Sequence, residues 1–288
     1  SVKGATLVSG LVVDGIKELD LLLADYLKEA NTDETPEVPE LPELPEMPEV
    51  PEAPSELEFS GNVYLIGDST VCEYDEKTVT SLDRQGWGMR LGDYFNEEVA
   101  IHNLALSGRS SRSFVSEKNY TKLLNELGEG DYLFIQFGHN DQKTDGRETT
   151  PGLDLTTLDE EGKNAAGEYS YEWFLINKYI EPALEKGAMP VLVTPITRRS
   201  SSGKANYSAH VPYQEAMMKI VEEYNIPCID LMTKTVELYT SIYQEGGAEA
   251  TAALHALKVS GDTTGIDNTH LSVKGATLVS GLVVDGIK

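Results

Sequence analysis

Five short apolar runs, separated by helical stretches, constrain the fold of this chain more than any other feature. Each run is too short for a helix and is bounded by turn residues, which is typical of strands buried on both faces. Helical stretches lie between them, for example 171–186 and 211–224. This alternation predicts an α/β fold with a parallel sheet covered by helices on both sides. The runs are NVYLIGDS (62–69), VAIHNLALS (99–107), DYLFIQFGHN (131–140), MPVLVTP (189–195) and PCIDL (227–231).

The first sixty residues divide into two parts by composition. Residues 1–29 repeat leucines at three- and four-residue spacing, which predicts one long amphipathic helix. Residues 31–60 repeat Pro-Glu-X six times and carry ten acidic residues but no basic ones, which predicts an extended polyproline II linker. We therefore divide the chain into a helical segment (1–30), an acidic linker (31–60) and one α/β domain (61–288).

The charge of the chain excludes several classes of partner. The formal net charge of −25 argues against nucleic acid, whose phosphates require patches of Lys and Arg. It argues equally against an anionic membrane surface, and no apolar run approaches the length of a transmembrane helix. A neutral or neutralised substrate is the expected partner. The two cysteines, Cys72 and Cys228, are expected to be buried free thiols rather than a disulfide.

Polar residues cluster at the expected carboxyl ends of the strands, where parallel sheets carry their binding sites. Each polar block alone fits an ordinary turn or a helix cap. Together they offer a serine nucleophile, a histidine base, an aspartate to orient that base, and donors for an oxyanion, which is the set that ester hydrolysis by a serine requires. The blocks are GDST (67–70), NLALSGRSSRSF (103–114), FGHND (137–141), TPITRR (194–199) and DNTHLS (267–272).

These blocks resemble those of the SGNH (GDSL-type) hydrolases, which carry Ser, Gly, Asn and His in this order. The corresponding residues here are Ser69, Gly108, Asn140 and His270. Together with the segments GWG (86–88) and YEWFL (171–175), these blocks further resemble the sequences of carbohydrate acetylesterases of the rhamnogalacturonan and xylan type. The resemblance covers residues 62–288. It implies a three-layer α/β/α sandwich around a five-stranded parallel sheet of flavodoxin-like topology.

The resemblance also implies a role for each matched residue. Ser69 would attack the acetyl carbonyl, His270 would act as general base and then general acid, and Asp267 would orient the imidazole. The backbone N–H groups of Ser69 and Gly108 and the side-chain amide of Asn140 would form the oxyanion hole. Loss of one such donor typically costs roughly 3–4 kcal/mol of transition-state stabilisation. No metal and no organic cofactor is implied.

Four further residues are candidates for substrate contact, each with a structural alternative. Arg109 could contact glycan hydroxyls or carboxylates, or could pair with local acids. His139 and His210 either line the pocket or are structural, and Trp173 could stack on a sugar ring. His255 lies in a stretch with helical character, remote from every block.

The function that these features favour is a secreted bacterial serine esterase that removes O-acetyl groups from acetylxylan or acetylated rhamnogalacturonan. Its partner would be an acetylated polysaccharide or oligosaccharide. Two alternatives stay open: another acyl-esterase or lipase of the same superfamily, and a non-catalytic glycan-binding or spacer module. The segment 142–170 is polar, which favours a small acetyl group on a polar substrate over a long acyl chain.

The same seventeen residues, SVKGATLVSGLVVDGIK, occur at positions 1–17 and 272–288. In the family order, the helix after DNTHLS closes the domain, so residues 1–29 resemble a displaced copy of that closing helix. A tandem array or a circular permutation would produce this arrangement, and the natural N-terminus is expected to be missing. We expect the first copy to compete for the closing-helix groove, in its own molecule or by helix exchange between neighbouring copies.

Overall fold

The computed structural model describes residues 61–95 and 97–287. The predicted N-terminal helix (1–30) and acidic linker (31–60) lie outside the described residues. Within the described part of the chain, no helix is both long enough and apolar enough to cross a membrane.

The centre of the domain is a parallel sheet of five strands: β1 (Asn62–Gly67), β2 (Ala100–Asn103), β3 (Tyr132–Gln136), β4 (Met189–Val193) and β7 (Cys228–Ile229). Their order in the sheet is β2-β1-β3-β4-β7. In register, Leu65 of β1 lies between Asn103 of β2 and Phe134 of β3. The five predicted apolar runs and the five-stranded sheet are therefore confirmed, and the strand order is that of flavodoxin-like folds.

The described residues also form seven α-helices, four short 3₁₀ turns and two small β-hairpins. The helices are α1 (Glu76–Leu82), α2 (Lys118–Glu126), α3 (Tyr171–Leu175), α4 (Glu181–Glu185), α5 (Val211–Tyr224), α6 (Leu231–Ala252) and α7 (Val273–Ile287). A π-helical turn, Ile176–Ile180, joins α3 to α4, so the predicted helix over 171–186 is confirmed with one irregular turn. The hairpins pair β5 (Arg198–Arg199) with β6 (Ala205–Asn206), and β8 (His255–Ser260) with β9 (Thr263–Leu271).

Alternate side chains of the strands point into two apolar cores, one on each face of the sheet. Tyr64 and Ile66 of β1 pack with residues of α2, α3, α4 and α5. Val63 and Leu65, on the opposite face, pack with the start of α6 and with α7. This arrangement of two helical layers around one sheet is the predicted three-layer sandwich.

The last described helix, α7, closes the second face of the sheet. It buries Val279 and Val283 at helical spacing against this core. The hydroxyl of Ser280, also buried, donates a hydrogen bond to the backbone carbonyl of Trp87. Helix α7 is therefore in direct contact with the segment GWG (86–88).

An apolar cavity of about 420 Å³ lies at the end of α7. Its walls come from the sheet and from the helix, and they include Val63, Phe134, Val191, Ile229, Gly286 and Ile287. It also touches Tyr132, the first residue of β3. The cavity is therefore at the edge of the sheet where the strands begin, whereas the polar blocks follow the strands' carboxyl ends.

One sequence prediction is wrong within this domain. His255 lies not in a helix but in β8, directly opposite Leu271 of β9. Helix α6 ends at Ala252 because the chain turns there to form the hairpin. The alanine-rich sequence favours a helix locally, but pairing with β9 overrides this propensity.

Candidate active site

The segment that carries Ser69 leaves β1 in a tight turn. The backbone N–H of Val71 donates to the carbonyl of Asp68 over 3.1 Å, immediately after the strand ends at Gly67. A side chain at Gly67 would not fit, because its Cβ would lie 2.5 Å from the carbonyl oxygen of Gln136. The turn therefore presents Ser69 at the carboxyl edge of the sheet.

Three side chains form a continuous hydrogen-bonded chain at this edge. The Nε2 atom of His270 lies 2.9 Å from Oγ of Ser69, and its Nδ1 atom lies 2.7 Å from Oδ2 of Asp267. Ser69 and His270 are 201 positions apart in the chain. The structure thus brings together the nucleophile, base and orienting carboxylate that the sequence predicts, at hydrogen-bond distances.

The Asp267 carboxylate is held ionised by its surroundings. Its Oδ1 atom accepts from the backbone N–H groups of Thr269 and His270, and its Oδ2 atom also accepts from Arg84 over 3.0 Å. Burial by itself raises the pKa of Asp267, but the hydrogen bonds from the His270 ring and from the two N–H groups outweigh it and leave the pKa below its ordinary value. Asp267 is therefore suited to stabilise an imidazolium on His270.

The amide of Asn140 is held in one orientation beside the serine loop. Its Oδ1 atom accepts from Arg147 over 3.0 Å, and its Nδ2 atom donates to the carbonyl of Arg109 over 3.0 Å. The same guanidinium of Arg147 donates to the carbonyl of Gly108 over 2.8 Å, and Gly108 has a φ of +78°. Among the described residues, the bond to Arg109 uses one N–H of the Asn140 amide, and the second N–H is left as a donor.

A buried carboxyl, that of Asp141, joins the two loops that carry Gly108 and Asn140. Its Oδ1 atom accepts from the N–H and hydroxyl of Ser111 and from the hydroxyl of Thr149, and its Oδ2 atom accepts from the N–H of Gly138. Burial raises the pKa of Asp141 to about 6, although the hydrogen bonds from Ser111 and Thr149 oppose this shift. Asp141 therefore fixes the relative position of the two predicted oxyanion-hole loops.

Asp68 lies beneath the serine and belongs to a buried polar network. Its Oδ1 atom accepts from the N–H and the hydroxyl of Thr70, while Gln136 donates to the Thr70 hydroxyl over 2.6 Å and accepts from the Trp87 indole over 2.9 Å. Burial raises the pKa of Asp68, and the bonds from Thr70 oppose the rise. Its contacts brace the turn on which Ser69 stands.

The four candidate substrate contacts have different surroundings. The Arg109 side chain forms an ion pair with Glu117 at 2.6 Å, and only its backbone carbonyl contacts Asn140. Trp173 packs over Gly162 and lies against Lys178 and Phe174. None of these contacts of Trp173 involves the Ser69, His270 and Asp267 chain, so its proposed stacking on a sugar stays a prediction.

His139 and His210 pack against each other behind Asn140, with ring centroids 4.3 Å apart. Both are fully buried, and the Nδ1 atom of His139 accepts from Arg198 over 3.3 Å. Burial lowers the pKa of His210 to about 4 and also lowers that of His139, with the neighbouring charges acting in the same direction. Both imidazoles are therefore neutral at neutral pH, and their contact with substrate stays a prediction.

Four residues next to the site were not singled out by the sequence as functional: Arg84, Arg147, Asp141 and His255. Arg84 contacts Asp267 across 183 positions, a separation that no local motif records, whereas Arg147 contacts Asn140 from seven positions away. Asp141 and Arg147 do stand in segments that the sequence marks, FGHND and the following polar loop. Among residues 61–95 and 97–287, no group of three or more His, Cys, Asp or Glu is arranged to hold a metal ion.

Comparison with known proteins identifies a family and two bacterial relatives of this chain. Residues 65–278 match the model of the GDSL-like Lipase/Acylhydrolase family. The rhamnogalacturonan acetylesterase RhgT of Bacillus subtilis is 36% identical over 231 residues, which are 78% of this chain and 89% of that protein. The probable rhamnogalacturonan acetylesterase YesY of the same organism is 34% identical over 232 residues, 80% of this chain and 93% of the relative.

A solved structure supports the fold. The crystal structure of protein YXIM of Bacillus subtilis is similar to this chain with a TM-score of 0.59 and 25% sequence identity. The similarity covers 80% of this chain and 56% of that one, so this chain spans little more than half of the solved protein's length.

Proposed function

The chain belongs to the GDSL-like lipase and acylhydrolase family and is a carboxylic ester hydrolase, and we propose that it removes O-acetyl groups from a plant cell-wall polysaccharide through an acyl-enzyme on Ser69. The observation that carries the proposal is the hydrogen-bonded chain from Ser69 through His270 to Asp267. This geometry supports Ser69 as the nucleophile, His270 as its base and Asp267 as the group that orients the base.

In the proposed first half-reaction, Oγ of Ser69 attacks the acetyl carbonyl while Nε2 of His270 takes its proton. The bond between the acetyl carbon and the sugar oxygen then breaks, and His270 gives its proton to the departing oxygen, which becomes the sugar hydroxyl. In the second half-reaction, a water molecule attacks the acetyl-serine, with His270 again taking a proton. Acetate leaves, the proton returns to Ser69, and the ionised Asp267 stabilises the imidazolium throughout both halves.

We propose that the oxyanion forms against the free N–H of Asn140 and the backbone N–H groups of Ser69 and Gly108. Arg147 supports this role, because its bond to Oδ1 of Asn140 turns the amide nitrogen away from the guanidinium. Preorganised donors of this kind lower the barrier without reorganisation during the reaction.

Among acetylated polysaccharides, we propose rhamnogalacturonan as the substrate, because two relatives above 30% identity carry that activity in their names. The large apolar cavity does not support a long-chain acyl substrate. It lies at the end of α7, among residues such as Val63 and Ile229, and Ser69 is not among its lining residues. Because such a polymer lies outside the cell that degrades it, we propose that the protein acts as a secreted bacterial enzyme.

The test is acetate release, measured on acetylated rhamnogalacturonan, on acetylated xylan and on a p-nitrophenyl ester of a long-chain acid. We expect release from the first to exceed the second and the third, and to be absent in Ser69→Ala. Preference for acetylated xylan would correct the substrate, and preference for the long-chain ester would support the lipase alternative. Absence of hydrolysis, together with failure of a phosphonylating reagent to label Ser69, would support the non-catalytic module.

We further propose that residues 1–30 are a second copy of the closing helix and that residues 31–60 are a linker. In the described copy, α7 buries positions such as Gly275, Val279 and Val283 at three- and four-residue spacing. The same spacing, continued past Lys17 in the duplicated sequence, meets apolar residues at each step: Leu19, Leu22, Leu23, Tyr26 and Leu27. The cavity at the end of α7 supports helix exchange, in which this segment of one molecule occupies the cavity of a neighbouring copy.

A further inference from the structure

The residues that carry Asp267 and His270 bulge out of the β8–β9 hairpin. His255 pairs with Leu271, and the next pair along the ladder is Leu257 with Ile266. One residue of β8 therefore faces four residues of β9, positions 267–270. A bulge of this size aims side chains away from the ladder, but it leaves the bulged backbone without partners from the neighbouring strand.

Side chains supply the partners that the ladder does not. Asp267 accepts from the backbone N–H of Thr269 over 2.8 Å and from that of His270 over 3.0 Å. The backbone carbonyl of His270 lies 3.1 Å from Nδ1 of His255. The backbone of His270 is thus held from its N–H side by Asp267 and from its C=O side by His255.

The hydrogen-bond chemistry fixes the direction of this second contact. A carbonyl oxygen only accepts, so Nδ1 of His255 carries the proton. Burial lowers the pKa of His255 to about 4, so its ring is neutral at neutral pH and Nε2 is an acceptor. The hydroxyl of Tyr239, 2.8 Å away on α6, donates to Nε2. The chain of donors therefore runs from Tyr239 to His255 to the carbonyl of His270.

We propose that His255 is a positioning residue that sets the place of His270 relative to Ser69, and that Tyr239 fixes the His255 ring for this task. The proposal rests on the proposed esterase function of Ser69 and His270. His255 and Tyr239 are 3% and 1% exposed, and His255 contacts the backbone carbonyl of His270, so their effect passes through the His270 backbone. Displacement of a catalytic group by about 1 Å can cost on the order of 10²-fold in rate.

Two substitutions at His255 separate positioning from packing. In His255→Asn, the amide nitrogen falls where Nδ1 was and can still donate to the His270 carbonyl. In His255→Gln, the longer amide falls where Nε2 was, so the partner of Tyr239 is kept and the donor to His270 is lost. We expect His255→Gln to lower kcat on p-nitrophenyl acetate by about tenfold or more with KM unchanged, and His255→Asn to stay within about threefold of the unsubstituted enzyme.

A control removes a hydroxyl hydrogen bond far from this bulge. Tyr224→Phe deletes the 3.2 Å bond from Tyr224 to Glu181 on the other face of the sheet and should leave kcat unchanged. Tyr239→Phe should lower kcat with KM unchanged, by less than His255→Gln does. Equal kcat for the Asn and Gln variants, or losses of kcat that follow Tm across all four variants, would reduce His255 to a packing residue.

A structural measurement keeps this inference separate from the proposed function. Crystal structures of the two His255 variants should retain a hydrogen bond between Nε2 of His270 and Oγ of Ser69 in the Asn variant and show it lengthened in the Gln variant. If the unsubstituted enzyme hydrolyses no ester, the proposed function fails, and this distance still decides whether His255 positions His270. An unchanged distance in His255→Gln would overturn the positioning role.

Discussion

The orientation of His270 depends on one carboxylate, that of Asp267. A carboxylate only accepts hydrogen bonds, so a neutral His270 must carry its proton on Nδ1, 2.7 Å from Oδ2 of Asp267. This leaves the lone pair of Nε2 facing the hydroxyl of Ser69 at 2.9 Å. The tautomer that can accept the serine proton is thus selected by the chemistry of a residue three positions earlier.

Asp267→Asn should reverse this selection. The new amide can donate to Nδ1, which favours the tautomer with the proton on Nε2, and that tautomer cannot take the proton of Ser69. We expect kcat to fall by about 10⁴-fold, the loss seen when a triad aspartate becomes asparagine, with little change in KM. Arg84→Met is the matched control, since it removes the ion pair and keeps the carboxylate. More than a tenth of kcat surviving in Asp267→Asn would contradict this account.

The same substitution should change how stability depends on pH. The pKa of Asp267 is lower in the folded protein, so its ionised form stabilises the fold above the pKa of the unfolded chain, and this contribution disappears as the pH falls. We expect the free energy of unfolding of Asp267→Asn to lie below that of the unsubstituted protein at pH 7, with the gap narrowing below about pH 4. Urea unfolding at pH 7, 5 and 3.5 measures it, and a gap independent of pH would count against the ionised carboxylate.

Sequence motifs predicted Ser69, Asp267 and His270 because each stands in a short block with a fixed chemical role. They did not predict Arg84, which reaches Asp267 from 183 positions away in the chain. A long-range contact of this kind leaves no local pattern, because nothing near Arg84 in the sequence depends on Asp267. His255 was missed for a second reason, since its surroundings in sequence favour a helix and only the pairing with Leu271 makes it part of a strand.

The position of α7 relative to the β8–β9 hairpin depends on a close approach at Gly275. A Cβ atom on Gly275 would lie 2.0 Å from the carbonyl oxygen of Leu254, which is backbone and cannot rotate away. The carbonyl of Leu254 also accepts a hydrogen bond from the N–H of Ser272. The start of α7 is therefore in direct contact with the turn between α6 and β8. His270 stands just before this junction, and a shift of α7 would be transmitted to it.

Gly275→Ala should therefore destabilise the domain and lower activity together. Forcing an extra methyl group into a filled contact typically costs about 1–3 kcal/mol. Gly281→Ala is the matched control in the same helix, because its Cβ would meet the side chain of Tyr94, whose nearest atom is the hydroxyl oxygen at 3.1 Å. In a helix interior, alanine is favoured over glycine by up to about 1 kcal/mol, so this variant should be neutral or slightly more stable. Equal Tm values for the two variants would contradict the argument.

Strand and helix positions could be predicted for the sheet because apolar runs and turn residues alternate regularly along 61–231. The β8–β9 hairpin could not, since its strand β9 reads TTGIDNTHL, which lacks a continuous apolar run. In β9, residues 263–266 and Leu271 pair with β8, and the segment 267–270 between them leaves the ladder. A bulge that serves a site breaks the period on which sequence-based prediction depends.

The domain places its candidate site and the apolar cavity at the end of α7 at opposite edges of the sheet. Ser69 follows the carboxyl end of β1, whereas the cavity touches Val63 near the start of the same strand. Helix α7 connects the two edges, because it begins next to His270 and ends at Ile287 in the cavity wall. A segment that fills the cavity is thus expected to act on stability and assembly more than on the chemistry of Ser69.

Helix exchange between copies gives a prediction for the full chain. If the segment that contains Leu19, Leu22 and Leu23 fills the cavity of a neighbour, sedimentation should show dimers or larger species that increase with protein concentration. The variant with all three leucines changed to glutamate should be monomeric over the same range, because burying the added charges without partners is strongly unfavourable. Its kcat on p-nitrophenyl acetate should stay close to that of the unsubstituted chain.

The control for this prediction changes the acids of the same segment, as Asp20→Asn with Asp25→Asn, and keeps every apolar residue. Association should survive in this variant, since the contact proposed is apolar: each leucine side chain contributes roughly 1.5–3 kcal/mol when fully buried. A synthetic peptide of residues 18–30 should compete for the cavity and dissociate the assembly. A chain that is monomeric at every concentration, with a Tm that the leucine substitutions leave unchanged, would show that the second copy does not enter the cavity of a neighbour.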